Sequence, residues 1–236
     1  MSETVTERLW PDEAALAHGL AEAIAAGLTA AVKARGVASL VVTGGSTPGP
    51  LYDVLCEAQA PWERVFVTLS DERWVSTEDA ASNEHLVRTR LLRGRAERAR
   101  FVGLKTADAA PEAAVAAVEA AVAALPHPFD VVLLGMGGDG HVASLFPGAA
   151  ETRAAMDLSA PTLVCAVNSP GADGAAARMS LTFRALRDAR WTVLMITGED
   201  KLAVARRAAD GDDAVELPVR GVLNGSEPPV EIWWAP

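Results

Sequence analysis

Cysteine is nearly missing from this chain. Cys56 and Cys165 are the only two among 236 residues, each in an apolar neighbourhood. Neither a disulfide framework nor a cysteine metal site is available to it, and both thiols are expected to be reduced and structural. No grouping of His, Asp or Glu has metal-ligand spacing, so no metal is expected. Uninterrupted apolar runs fall short of the ~20 residues that span a bilayer. The opening segment MSETVTERLW has neither a basic region nor an apolar signal core. These absences point to a cytoplasmic protein with no membrane partner. Positive charge is also scarce, with 21 Lys and Arg against 31 Asp and Glu and a formal net charge of −10. A nucleic-acid partner calls for a basic stripe and is not expected. An anionic small molecule remains compatible with that balance. Screening over a Debye length of ~8 Å mutes distant carboxylates, while a few cations and N–H groups inside a cleft act at short range.

What is present is a regular alternation. Leu16, Leu20, Ile24, Leu28 and Val32 recur every four positions between Pro11 and Arg35, with Gly36 behind them, and predict an amphipathic helix. Val37–Thr43 reads as a strand. It leads through Gly44-Gly45-Ser46 to Thr47-Pro48, an N-cap and first-turn proline for a helix ending near Gln59. Further strands are predicted at Arg64–Ser70, Arg100–Leu104, Phe129–Leu134, Thr162–Val167, Trp191–Thr197 and Pro229–Ala235, and helices at Ser82–Leu92, Pro111–Leu125 and Glu199–Asp210. Ala149–Pro161 and Ser169–Ala177 read as loops. Strands alternating with helices imply an α/β fold, a doubly wound, mainly parallel sheet with helices on both faces and right-handed crossovers. No repeat or low-complexity linker divides it, so one domain is expected over residues 1–236.

The chemistry-bearing stretch is Phe129–Gly148, FDVVLLGMGGDGHVASLFPG. Val131–Leu134 lacks polar alternation and reads as a strand buried on both faces, and ligands collect at the carboxyl ends of such strands. Gly135, Gly137 and Gly140 match G-x-G-x-x-G, with Asp157 near the acidic position of a dinucleotide site, but His141 and then Phe146-Pro147-Gly148 replace the long helix that such a site requires. Asp139-Gly-His141 reads better as a proton shuttle: a carboxylate fixes the imidazole tautomer, and the imidazole takes a proton from water and returns it to a leaving oxygen. The plain alternative is a histidine satisfied within its turn. His18, His85 and His127 lack this setting.

Three other places carry candidate binding groups. The N–H groups of Gly44, Gly45, Ser46 and Thr47 lie between a strand and a helix start, where a phosphate is readily held, although a tight turn with a Thr47 cap would explain the same residues. The spacing is not that of a nucleoside-triphosphate loop. Asp71 and Arg73 follow a third strand. Arg73 offers a planar fork to substrate oxygens, and Asp71 could accept sugar hydroxyls or orient Arg73. Arg178 and Lys201 are further cations. Lys201 stands in a first helical turn, where the dipole disfavours a cation unless an anion is bound beside it.

Five ordered segments, TGGSTPGPLY (Thr43–Tyr52), SDERWV with SNEHL (Ser70–Leu86), LLGMGGDGHVASLFPG (Leu133–Gly148), ARMSLT (Ala177–Thr182) and GEDK (Gly198–Lys201), together resemble the 6-phosphogluconolactonase family over nearly the whole chain. The resemblance implies the fold shared with glucosamine-6-phosphate deaminases and hydrolysis of 6-phospho-D-glucono-1,5-lactone in the oxidative pentose phosphate route. It implies no cofactor, a sugar-phosphate substrate as the partner, and a monomer or small homo-oligomer. It implies His141 as catalytic base with Asp139 beside it, Gly44–Thr47 with Arg178 and Lys201 around the phosphate, and Arg73 at the substrate. Asn168–Ala177 departs from the Lys-Pro-Pro-like segment more usual before the arginine. The deaminases carry a glutamate where this chain has Leu145-Phe146-Pro147-Gly148.

Overall fold

Elements follow one another in an almost strict alternation. In chain order they are β1 (Val5–Leu9), α1 (Glu13–Arg35), β2 (Ala38–Val42), α2 (Gly49–Leu55), β3 (Val65–Leu69), β4 (Asp71–Arg73), α3 (Asn83–Arg90), β5 (Arg100–Val102), α4 (Pro111–Ala123) and β6 (Val131–Leu134). Then come α5 (Ala150–Ala155), β7 (Val164–Asn168), β8 (Ala177–Leu181), α6 (Phe183–Arg187), β9 (Thr192–Thr197), α7 (Glu199–Ala209), α8 (Arg220–Leu223) and β10 (Val230–Ala235). The computed structural model describes residues 5–169, 175–224 and 226–236.

Seven strands form one parallel sheet in the order β1-β10-β9-β6-β2-β3-β5. Every residue of β2 and β6 is buried. Strand side chains alternate between the two faces, so complete burial means that both faces are covered, as the unbroken apolar runs require. From β2 the chain steps outward through β3 to β5, returns to β6 on the other side of β2, and continues to β9 and β10. The connections leaving β2 and β6 therefore diverge and open a crevice at the carboxyl edge, which is where open α/β sheets receive ligands.

The longest helix, α1, follows the periodicity. Asp12 caps it by accepting from Ala15 N at 2.8 Å, Gly36 ends it, and Leu16, Leu20, Ile24 and Leu28 are fully buried. It is long and apolar enough to cross a membrane, but that stripe packs on β2, β6 and β10 instead. Burying each of those four side chains contributes about 1.5–3 kcal/mol.

Three features differ from the expectation. The strand expected at Thr162–Val167 is β7, and it leaves the main sheet to form a second, antiparallel sheet of order β4-β8-β7. A short, half-buried run can serve either a parallel sheet or a hairpin, and its pairing with ARMSLT was decided by distant contacts. Residues 170–174 of the expected loop Ser169–Ala177 lie outside the described residues, and Ser169 N donates to Ala176 O at its base. The Ala149–Pro161 loop contains α5, six residues with no side-chain cap to announce them. β1 went unseen because four of its five residues are exposed and its partner β10 lies at the opposite end of the chain.

Candidate active site

One cleft of about 250 Å³ opens at the carboxyl ends of β9, β6, β2 and β3, and nine of the ten candidate residues line it: Gly44, Gly45, Ser46, Thr47, Asp71, Arg73, His141, Arg178 and Lys201. The tenth, Asp139, stands behind the imidazole. Its Oδ1 lies 2.6 Å from His141 Nδ1 and also accepts from the His141 backbone N at 3.1 Å. The hydrogen bond from the imidazole, opposed by partial burial, holds the Asp139 carboxyl below its ordinary range. A carboxylate only accepts, so the tautomer that suits this contact has Nδ1 as the donor and Nε2 as the free acceptor. Gly137 makes this pairing possible, because a Cβ there would sit 2.2 Å from the imidazole and 2.6 Å from Asp139 Oδ1. Ala143, in the same turn, takes a left-handed φ of 51°, a conformation that costs a non-glycine residue about 1–3 kcal/mol.

Across the cleft, the β2 connection presents unused donors. Among the described residues no acceptor pairs the backbone N–H of Gly44, Gly45, Ser46 or Thr47. The expected Thr47 cap is not made: α2 starts at Gly49, with Pro48 before it and no side-chain cap. At seven residues α2 is short, so it is the loop that presents these donors. The loop is pinned from below, where Tyr52, the single tyrosine, is fully buried and donates to Thr43 O at 2.5 Å. Lys201, in the first turn of α7, faces the loop with no ion pair among the described residues.

The second sheet supplies the remaining cations. Register places Arg73 on β4 directly opposite Arg178 on β8. Like charges in that relation repel, which makes sense beside a bound anion. Arg178 is 3 % exposed, with Nη1 at 3.9 Å from Asp71 Oδ2 and 3.3 Å from Ser144 Oγ. Ser144 Oγ in turn donates to Asp71 Oδ2 at 2.6 Å, and Ser144 N to Ser180 Oγ at 3.2 Å. Asp71 Oδ2 thus meets Ser144 and Arg178 on the neighbouring elements rather than Arg73, the other partner expected for it. Arg73 Nη1 donates to Ala81 O at 2.7 Å.

Residues given no role from sequence complete the wall. Glu72 is fully buried and accepts from Arg73 N, Ser82 Oγ, Asn83 N and Glu84 N at 2.7–2.9 Å, fastening the start of α3 to β4. Burial pushes its carboxyl pKa up against these four donors. Asn83 donates from Nδ2 to Asp71 O at 2.8 Å and presses Oδ1 against Gly44, where a Cβ would lie 1.8 Å away. The SDER and SNEHL segments contain both, but only their joint packing shows what they hold.

The chain is similar to known proteins over almost its whole length. Residues 11–234 match the model of the family described as glucosamine-6-phosphate isomerases/6-phosphogluconolactonase. The chain belongs to that family. A curated 6-phosphogluconolactonase of Rhizobium meliloti is 42 % identical over 228 residues, covering 97 % of each chain. The crystal structure of a 6-phosphogluconolactonase from Shewanella baltica superposes with a TM-score of 0.95 at 41 % identity over the full length of both. A monomeric glucosamine-6-phosphate deaminase, 19 % identical over 98 % of this chain and 97 % of its own, shares the fold with a TM-score of 0.77.

The Asp139 contact has a measurable consequence. Asp139→Asn replaces an obligatory acceptor by a group that can donate to Nδ1 and hold the wrong tautomer. The variant should keep its folded spectrum and lose about one to three orders of magnitude in kcat, a part of the about 10²–10⁴ that a general base supplies. Unchanged kcat in steady-state assays would remove Asp139 from the shuttle.

Proposed function

We propose that this protein hydrolyses 6-phospho-D-glucono-1,5-lactone to 6-phospho-D-gluconate within a single domain. The observation that carries the reading is one cleft lined both by His141, whose imidazole pairs with the Asp139 carboxylate, and by the Gly44–Thr47 loop with Arg178 and Lys201. The family relationship supports the same substrate. The phosphate sits on the N–H groups of Gly44–Thr47 with Lys201 and Arg178, and these charge-assisted bonds hold the far end of the sugar so that C1 lies against a water at His141. His141 Nε2 takes a proton as that water attacks C1, and Asp139 stabilises the imidazolium. The proton then passes to the ring oxygen as the C1–O bond breaks and the chain opens. Gly137 and Gly140 spend their N–H groups inside the turn, on His141 O and Gly137 O. Arg73 is therefore assigned to the charge that develops on the carbonyl oxygen.

A deaminase needs further acid–base groups for ring opening and proton transfer at carbon. Leu145-Phe146-Pro147-Gly148 offers none. The test is a pH-stat assay on freshly generated lactone: acid release well above the spontaneous rate is expected. Ammonia release from glucosamine 6-phosphate, with no lactone turnover, would replace this reading by the deaminase one. Ligand-induced thermal stabilisation without turnover of either would make the protein a sugar-phosphate sensor.

A further inference from the structure

One aromatic ring touches both walls of the cleft without lining it. The ring of Phe146 lies 4.7 Å from that of His141, centroid to centroid, at an interplanar angle of 41°. Arg178 Cζ stands 5.3 Å from the same Phe146 centroid. His141 rides on the turn after β6 and Arg178 on β8 of the other sheet, so this side chain spans the joint between the two sheets. Its own place is set from behind: Thr152 Oγ1, buried in α5, donates to Phe146 O at 2.8 Å. The ring is half-buried and stands behind His141 and Arg178, which line the cleft while Phe146 does not.

We propose that Phe146 is a positioning residue that braces the base His141 and the phosphate-binding Arg178 with a single ring. This rests on the roles assigned to those two residues above. The electron-rich face attracts the permanent cation of Arg178 and holds the guanidinium while Asp71 and Ser144 fix its other side. The tilted contact limits rotation of the imidazole, which otherwise has only Asp139 to orient it. As His141 takes up its proton in turnover, the same ring gains attraction for it. An aliphatic side chain fills the space and supplies neither contact.

The experiment compares Phe146→Leu and Phe146→Tyr with wild type and His141→Ala, reading kcat, the Kd of 6-phosphogluconate by calorimetry, and Tm. Phe146→Leu should lower kcat and weaken 6-phosphogluconate binding, each by about three- to tenfold, the scale of one lost ring contact. Its Tm should stay within about 2 °C, because the side chain is only half-buried. Phe146→Tyr, which keeps the ring, should restore most of both constants. Wild-type kcat and Kd in Phe146→Leu would overturn the proposal, as would loss in only one of the two. Equal losses in both variants with a fallen Tm would reduce Phe146 to packing and overturn it too. Failure of the underlying reading looks different: wild type would not turn over the lactone, or His141→Ala would retain turnover.

Discussion

Replacing His141 by alanine is expected to lower kcat for lactone hydrolysis by about 10²–10⁴, the scale of a positioned general base, and to leave KM within a few-fold. Alanine removes the imidazole that the Asp139 carboxylate orients at 2.6 Å, the group proposed to take the proton from water. The fold should tolerate the change: the side chain is 31 % exposed and its loss frees Asp139 to water. The proposed phosphate site does not include the imidazole, so binding should persist and the effect should concentrate in kcat. Initial rates must be corrected for spontaneous hydrolysis of the lactone. A corrected kcat close to wild type would show that water attacks without this residue.

Lys201→Ala should do the reverse, raising KM by about 10- to 100-fold with a much smaller change in kcat. One hydrogen bond to a charged group contributes about 1.5–3 kcal/mol, and about 1.4 kcal/mol is a tenfold change. Lys201 is the cleaner probe than Arg178. Arg178 is buried beside Asp71, and removing it would leave that buried carboxylate with serine donors alone, so its loss would mix a stability change into the binding change. Lys201 has no ion pair among the described residues, and its position in the first turn of α7 opposes the helix dipole. Tm of the apo variant should therefore hold or rise slightly while substrate affinity falls. A KM indistinguishable from wild type would place the phosphate elsewhere, and a fallen Tm would mean the ammonium has a structural partner after all.

Much of the scaffold was legible because local pattern and global burial agree. The four-residue period of Leu16, Leu20, Ile24 and Leu28 became a core helix, and the unalternating Val131–Leu134 became a strand covered on both faces. Features whose stability comes from elsewhere were not legible. β1 has little apolar content of its own and exists through β10, and β7 was assigned a strand but the wrong sheet. At the site, spacing and turn chemistry sufficed to nominate the cations, the glycine loop and the histidine. The roles of Glu72, Asn83, Ser144 and Phe146 depend on what they touch in space.

By itself, then, the chain order of residues determined where most of the strands and helices form and which turns end at glycine, because those depend on neighbours a few positions away. Only the tertiary structure decided that the turn after β2 faces the turn after β6, about a hundred residues further on, and that Arg73 stands opposite Arg178. Strand order and register are selected by burying distant apolar faces against one another, and no local segment contains that information.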